Sequence, residues 1–239
     1  MRQIDTSYYQ SADGQNVKRI LVDSYASLIG DLLAEHSAQR VIEMGYGDGD
    51  IVALLRSHDL DVVVLEGDTG LCAEGKKRYG ADEKVTVVQT LFEAYRTTEP
   101  ADLVLGNHVL EHVDDPAHVL GQISSWLTPG GRTLLSVPNA TSIHRRIGVE
   151  MGLLGEVHEL NEQDVRVGHQ RVYDRESFQN EIEASELRIE RLGGFNLKMV
   201  SQGQMADWSN DLLRAIYRVS LSCPPEICSN LYAICRKSA

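Results

Sequence analysis

Short apolar runs alternate with helical periods along most of the chain, which is typical of a parallel sheet with helices on both faces. The pattern therefore predicts an α/β fold. Five strands are predicted first, near residues 40–45, 61–66, 84–89, 101–106 and 132–137. Helices are predicted between them, near residues 49–57, 69–79 and 116–127, the last after an Asp-Asp-Pro cap sequence. Two further strands are predicted, at residues 187–192 and 230–235.

The first predicted strand ends in a glycine-rich turn of the kind found in nucleotide-binding loops. Residues 41–49 read VIEMGYGDG, an apolar run that reaches Glu43 and continues into alternating glycines. Glycine lets the backbone adopt positive φ values and lets a ligand approach the peptide groups. A dinucleotide fold requires a small residue where Asp50 stands, and its loop faces a pyrophosphate, whereas Glu43 suits a cationic ligand. The loop predicts a nucleotide-containing cofactor that is not a dinucleotide.

Four motifs, in order along the chain, resemble those of the class I S-adenosylmethionine-dependent methyltransferases. The Glu-x-Gly-x-Gly-x-Gly pattern of residues 43–49 resembles motif I of that family. Glu66 ends the second predicted strand, where an acidic side chain reaches ribose hydroxyls in nucleotide-binding folds. Residues 101–113 resemble the fourth strand and LEHV turn of the ubiquinone-pathway O-methyltransferases, and residues 127–132 resemble their LxPGG turn. The resemblance is closest over residues 38–140.

The resemblance implies a doubly wound, Rossmann-like sheet of seven strands in the order 3-2-1-4-5-7-6, with strand 7 antiparallel, and S-adenosylmethionine as cofactor. It further implies a set of cofactor-binding residues near the carboxyl ends of the strands: Glu43, Gly45, Tyr46, Gly47, Gly49, Glu66, Gly67, Leu91, Phe92 and Asn107.

One methyltransferase domain is expected to span residues 1–239. Within it, we expect an N-terminal helical cap, a cofactor-binding core, a substrate-side insertion, and C-terminal strands with a helix, in residues 1–36, 37–137, 138–186 and 187–239. Long insertions in compact domains usually serve as lids or binding elements. The cap, which includes Tyr8 and Tyr9 and a helical pattern from Val22 to Leu33, and the insertion are therefore expected to close over the cleft as helical lid elements.

Three histidines are candidate catalytic residues. His108 and His112 follow the fourth predicted strand, whose carboxyl end should face the cofactor, and His169 lies in the insertion beside Arg171 and Tyr173. Histidine accepts protons near neutral pH. At least one of the three is expected to act as a general base or as a ligand that orients an acceptor hydroxyl, with His112 as first choice. The alternative is a histidine that only satisfies backbone groups of the turn.

Residues 108–112 also read H-x-x-E-H, a pattern in which two histidines on a helix hold zinc in some proteases. The Asp-Asp-Pro sequence that follows leaves hardly more than one helical turn, which argues against a protease. Metal assistance of methyl transfer stays open, because a divalent ion lowers the pKa of a bound catechol or diol. The expected reaction is nevertheless metal-independent, and no metal ligand is assigned.

Composition narrows the choice of partners. The chain of 239 residues has a formal net charge of −12 and no run rich in Lys or Arg, which argues against a nucleic-acid substrate. No stretch approaches the roughly 18 apolar residues of a membrane span, and the N-terminus lacks an apolar signal region, so a cytosolic protein is expected. The four cysteines lack C-x-x-C spacing and are expected to be reduced. Oligomeric state is not indicated.

The sequence as a whole predicts methyl transfer to a small molecule, at oxygen rather than at nitrogen or carbon. A sugar or a secondary-metabolite phenol would suit the polar insertion, where Arg145 and Arg146 face either a hydroxylated or anionic acceptor or solvent. Two other classes remain open. A peptide or protein methyltransferase would have an open acceptor groove, and a non-catalytic cofactor-binding protein would have side chains that block the methyl position.

Overall fold

A computed structural model describes residues 15–201 and 203–237 of the chain. Its strands are β1 (Arg40–Met44), β2 (Asp61–Glu66), β3 (Val85–Gln89), β4 (Ala101–Asn107), β5 (Leu127–Pro138), β6 (Leu187–Phe195) and β7 (Asn230–Lys237). They form one sheet in the order β3-β2-β1-β4-β5-β7-β6. The first five strands pair in parallel, whereas β7 is antiparallel to both β5 and β6. The predicted seven-stranded order is confirmed.

The helices are α1 (Gln15–Glu35), α2 (Asp50–Ser57), α3 (Thr69–Tyr79), α4 (Pro116–Trp126), α5 (Ile143–Glu150), α6 (Glu162–Arg166), α7 (Arg175–Glu183) and α8 (Asn210–Ser220). The predicted cap of α4 is present, because the Asp115 carboxylate accepts a hydrogen bond from the His118 amide at 2.9 Å. Among the described helices, none combines the length and apolar character that a membrane crossing requires. The four cysteines carry free thiols.

Each face of the sheet buries an apolar layer. On one face, α4 and α7 contribute Trp126 and Phe178, which are almost fully buried. On the other face, α1 and α2 contribute Ile29 and Leu55, which are fully buried. Burial of one such side chain stabilises the fold by about 1.5–3 kcal/mol. The two layers hold the helices against both faces of the sheet.

The described part of the predicted N-terminal cap belongs to the core. Tyr25 of α1 is fully buried, and its hydroxyl donates a hydrogen bond to the Leu134 carbonyl of β5 at 3.1 Å. We expected this segment to cover the cleft because the strand pattern gave it no place in the sheet, but its apolar stripe covers one face of the sheet. Tyr8 and Tyr9 lie outside the described residues.

The predicted insertion divides into two parts. The later part contains helix α7, which packs Phe178 and Ile182 into the core beside α4. This helix covers one face of the sheet and is not a lid. Residues 139–173 instead follow β5 past its carboxyl end, and the Gln170 amide donates a hydrogen bond to the Glu111 carbonyl at 2.8 Å. Residues 139–173 are therefore in position to border a site at the end of β4.

Candidate functional site

The strand order reverses between β1 and β4, which are parallel neighbours. In open α/β sheets, ligands bind in the crevice beyond the carboxyl ends of the strands at such a reversal. The glycine loop follows β1, and the turn with His108 and His112 follows β4. The fold therefore brings the predicted cofactor loop and the predicted catalytic turn to the same edge of the sheet.

The glycine loop leaves open space where the sequence predicts a ligand. Gly45, Gly47 and Gly49 have φ values of 93°, 56° and 77°. A Cβ atom added to Gly45 or Gly47 would have no heavy atom within 4 Å, whereas one on Gly49 would lie 2.7 Å from the Tyr46 hydroxyl. The first two glycines therefore leave room beside bare backbone. Glycine is required at the third position because a side chain there would collide with Tyr46.

Glu66 ties this loop to the end of β2. Its carboxylate accepts hydrogen bonds from the Tyr46 amide at 2.8 Å and the Asp68 amide at 2.7 Å. Burial raises the pKa of Glu66, and these amides oppose the shift. Each carboxylate oxygen can accept a further hydrogen bond. Glu66 can thus hold the loop and still accept a hydrogen bond from a ribose hydroxyl.

Glu43 is buried at the end of β1, and its Oε2 atom has no hydrogen-bond partner among the described residues. Burial raises the pKa of this carboxyl well above its usual value. An unpaired buried carboxylate is costly unless a cation or a donor meets it. The open glycine loop and this unpaired carboxylate fit a cofactor that carries a positive charge.

The other predicted cofactor residues occupy different environments. The Tyr46 ring is buried and stands edge to face with Tyr79, at 6.5 Å between centroids, so it packs against α3. Phe92 packs in the core, while the adjacent Leu91 is 41% exposed and available to a ligand. Asn107 ends β4, where its side-chain oxygen accepts a hydrogen bond from the Ser136 hydroxyl. Gly67 directly follows Glu66 and is partly exposed.

The three predicted catalytic histidines lie in one cluster with Glu111. His108 Nδ1 lies 3.3 Å from Glu111 Oε1, and the His112 and His169 rings meet edge to face with 4.7 Å between centroids. His108 has a φ of 55°, in the left-handed region that residues other than glycine rarely adopt. Such strained backbone is found preferentially at functional sites.

Burial controls the charges in this cluster. It lowers the pKa of His108 to about 3 and that of His112 to about 4, with a further contribution from the nearby His169. Burial raises the pKa of Glu111 to about 7. At neutral pH the first two histidines are therefore uncharged, and burial disfavours the ionised form of Glu111.

His169 has a carboxylate partner of its own. Its Nδ1 atom is 3.0 Å from Asp164 Oδ1, and Arg145 Nη1 donates a hydrogen bond to Asp164 Oδ2 at 3.0 Å. Burial would raise the pKa of Asp164, but hydrogen bonds from His169, the Asn161 amide and Arg145 lower it to about 2. An ionised carboxylate on Nδ1 holds the proton there and leaves Nε2 as the acceptor nitrogen.

Two neighbours of His169 fix the insertion to the turn after β4. The Gln170 side chain donates a hydrogen bond to the His112 carbonyl at 2.7 Å, and Arg171 donates to the carbonyls of Leu110 and Val113 at 2.7 Å and 2.6 Å. His169 is therefore held beside His112, because the two side chains that follow it bind backbone carbonyls of the turn. The sequence alone indicated neither Asp164 nor Gln170, and Glu111 appeared only inside the H-x-x-E-H pattern.

The remaining polar residues of the insertion lie elsewhere. Arg145 is buried, and besides Asp164 it donates hydrogen bonds to the carbonyls of Val157 and Glu159, so its charge is used inside the protein. Arg146 is exposed. His158 is exposed and pairs with Asp174, at 3.1 Å between Nε2 and Oδ2. His144 is partly buried, although a polar insertion favours surface placement, and burial lowers its pKa to about 3.

Loss of the Asp164 carboxylate should strongly destabilise the protein. Asp164→Ala leaves the buried Arg145 guanidinium without its ion-pair partner, and breaking a buried pair in this way costs about 3–5 kcal/mol of unfolding free energy. Urea unfolding followed by circular dichroism measures the loss. Glu35→Ala is the control, because this exposed carboxylate pairs with Arg191 at the surface and its loss should cost less than about 1 kcal/mol. Equal losses would show that Asp164 does not hold the buried arginine.

The sheet order, the open glycine loop and the acidic ends of β1 and β2 define a class I S-adenosylmethionine-dependent methyltransferase. A family model described as a methyltransferase domain matches residues 17–192, and the chain belongs to that family. The protein is therefore an enzyme with S-adenosylmethionine as cofactor. Its likeness to the ubiquinone-pathway O-methyltransferases remains a resemblance. No curated protein matches the sequence.

Solved structures share the fold at low sequence identity. The N-methyltransferase NodS of Bradyrhizobium japonicum, in complex with S-adenosyl-L-homocysteine, has a TM-score of 0.56 at 13% identity and covers 87% of this chain and 82% of its own. A Mesorhizobium loti S-adenosylmethionine-dependent methyltransferase has a TM-score of 0.58 at 17% identity, with 83% and 90% covered. The 1,6-didemethyltoxoflavin-N1-methyltransferase of Burkholderia thailandensis has a TM-score of 0.59 at 17% identity, with 90% and 77% covered.

Proposed function

We propose that the protein methylates a hydroxyl oxygen of a small molecule, which binds against the cluster of His108, Glu111, His112 and His169. The observation that carries this proposal is the position of the cluster. It follows β4 at the sheet edge where the glycine loop follows β1, and it includes a histidine backed by an ionised carboxylate. S-adenosylmethionine supplies a methyl group already activated on a sulfonium, so the protein has to position the acceptor and handle its proton.

The cofactor is assigned to the loops after β1 and β2. Gly45 and Gly47 offer bare backbone, Glu43 offers an unpaired carboxylate oxygen to a positive charge, and Glu66 accepts hydrogen bonds from hydroxyls. Leu91 offers exposed apolar surface after β3. These contacts are supported by the space and the unsatisfied groups in the loops.

His169 is the proton acceptor that we favour, although His112 was the first choice from the sequence. The pKa of His112 is lowered to about 4, mainly by burial, and so weak a base takes up a hydroxyl proton poorly at neutral pH. His169 has Asp164 on Nδ1, so the imidazolium that forms on protonation is stabilised. Its Nε2 atom is then the position at which the acceptor proton is received.

A small acceptor fits the enclosed surroundings of the cluster better than a peptide does. Glu111 has no exposed surface, and only 11% of the His169 side chain is exposed. Residues 139–173 border the cluster and are tied to the turn after β4. The Burkholderia relative is described with a small molecule and S-adenosylhomocysteine bound. A long peptide would need an open groove in place of these contacts.

Methylation at nitrogen is the second candidate, because two of the solved relatives are described as N-methyltransferases. An amine reacts through a nitrogen lone pair and also loses a proton, so the same cluster would serve. Each hydroxylated compound in an assay therefore needs an amine counterpart on the same scaffold.

The function is tested by incubating the protein with S-adenosylmethionine and a panel of phenols, sugar nucleotides, their amine counterparts and a peptide library. Mass spectrometry reads the gain of one methylene unit and the formation of S-adenosylhomocysteine. We expect a hydroxylated small molecule to be methylated faster than its amine counterpart and faster than any peptide. Faster reaction of the amines or of the peptides would overturn the hydroxyl assignment.

A further inference from the structure

Three side chains with metal-binding atoms converge where the insertion meets the turn after β4. Glu111, His112 and His169 each offer one ligand atom, and these atoms lie within 4.8 Å of one another. We propose that these three residues bind one divalent transition-metal ion of the zinc type. The proposal concerns binding by the protein alone and does not depend on the hydroxyl assignment above.

The cluster contains buried polar atoms that a cation would satisfy. Glu111 has no exposed surface, and neither of its carboxylate oxygens has a hydrogen-bond partner among the described residues, although His108 Nδ1 lies 3.3 Å from Oε1. The Nδ1 atom of His112 is also buried without a partner in the described part of the chain. Leaving such groups unpaired in the interior is unfavourable, and more so for a charged group. A bound cation removes this cost for both residues at once.

Asp164 prepares His169 for the same ion. The carboxylate accepts a hydrogen bond from His169 Nδ1 at 3.0 Å, which leaves Nε2 as the nitrogen available to a metal. Histidine ligands of metals usually donate their other ring nitrogen to a carboxylate or a carbonyl in this way. Arg145 and the Asn161 amide fix the Asp164 carboxylate in turn. The hydrogen bonds that orient a metal-binding histidine are therefore already present.

The kind of ion follows from the ligands. Two imidazoles and one carboxylate suit zinc, iron, cobalt or nickel better than magnesium or calcium, which take oxygen ligands. With bonds of about 2.0–2.2 Å, the ligand atoms of a tetrahedral zinc site are roughly 3.4 Å apart. The ligand atoms now lie within 4.8 Å of one another. Side-chain rotations that bring them closer by little more than an ångström would therefore reach that distance.

Three protein ligands also leave a coordination position open. Catalytic zinc sites keep such a position for water or substrate. An acceptor hydroxyl bound there would have a lowered pKa. In the metal-loaded protein His169 would be a ligand, and the ion would supply the acidity that activates the acceptor hydroxyl.

Cobalt binding tests the site without any methyl transfer. Chelator-treated protein is titrated with Co²⁺, followed by visible absorption, and then with Zn²⁺ as competitor. We expect one equivalent to bind, visible bands typical of cobalt in a low-coordinate site, and a rise in melting temperature with Zn²⁺. Glu111→Gln and His169→Ala should abolish the bands. Asp164→Asn, at a position that reaches the ion only through His169, should weaken the apparent affinity by about 10- to 100-fold in protein whose circular dichroism shows that it is folded.

His158→Ala is the matched control, since it removes a histidine of the same insertion that also pairs with an aspartate, at 3.1 Å. It should leave the cobalt titration unchanged. Should Glu111→Gln fail to fold, His112→Ala takes its place. Unchanged bands in both ligand variants, or no binding by the unaltered protein at millimolar Co²⁺, would overturn the site. The cobalt titration contains neither cofactor nor acceptor, so a failed methylation assay would not affect the metal-site proposal. Normal methylation by a protein that binds no cobalt would overturn the metal site and leave the proposed function intact.

Discussion

Replacing His169 with alanine is expected to lower turnover by about 10²- to 10⁴-fold, which is the usual cost of losing a general base. The variant loses the Nε2 atom that Asp164 keeps free through its contact with Nδ1. Affinity for S-adenosylmethionine should stay within a few fold, because no cofactor contact is assigned to this residue. Steady-state kinetics with an acceptor found in the panel, together with calorimetry for S-adenosylhomocysteine, separate the two effects.

His158→Ala supplies the control for His169→Ala, because both histidines lie in the insertion and both contact an aspartate. His158 is exposed and lies outside the cluster, so its loss should change turnover by less than about twofold. His108→Ala and His112→Ala complete the series. Near-normal turnover in the His108, His112 and His169 variants would exclude histidine-assisted methylation and favour catalysis by proximity and desolvation alone.

The pH dependence separates a base from a metal ligand. In the metal-free enzyme, kcat should fall at acid pH, because a protonated imidazole cannot take up the proton of the acceptor. If a chelator abolishes turnover and added Zn²⁺ restores it, His169 acts as a ligand. The effect of His169→Ala on turnover is large in both cases, so the pH profile and the chelator decide between them.

The strands and the helices between them could be predicted from sequence because their patterns are local. The predicted second strand has the observed bounds Asp61–Glu66, and helix α3 has the predicted bounds Thr69–Tyr79. Strand β5 departs further, since it begins at Leu127 and not near residue 132. Leu127 pairs with Ala101, and the next pair is Leu103 with Arg132, so residues 128–131 bulge from a continuous strand. Proline and glycine in that bulge are typical of a turn, which is why the sequence predicted that the strand begins after them.

The arrangement of the site could be predicted only in part. His108 and His112 follow a strand, and the ligand-binding rule for parallel sheets is sufficient to place them at the crevice. The contact between His169 and Asp164 spans five positions around the end of the short helix α6, a spacing that no periodic pattern marks. Arg145 read as a candidate anion-binding residue because charge alone does not reveal burial. Its partner depends on tertiary packing that brings residues nineteen positions apart together.

Replacing Gly47 with valine is expected to weaken binding of S-adenosylhomocysteine by at least about 100-fold, which corresponds to roughly 2.7 kcal/mol. The glycine has a φ of 56°, and a Cβ there would point into space that holds no protein atom within 4 Å. A branched side chain would fill the space that we assign to the cofactor. The left-handed backbone adds a cost of about 1–2 kcal/mol to folding, which the protein should survive. Isothermal calorimetry measures the affinity, and thermal unfolding monitors the fold.

Gly130→Val separates the loss of ligand space from backbone strain. Gly130 has a φ of 81° and likewise has no heavy atom within 4 Å of an added Cβ, but it lies in the β5 bulge at the opposite edge of the sheet. Valine should therefore cause a similar loss of melting temperature at either glycine, whereas only Gly47→Val should lose the ligand. Equal affinity in the two variants would mean that the cofactor does not lie on the loop after β1, and the assignments of Glu43 and Glu66 would fall with it.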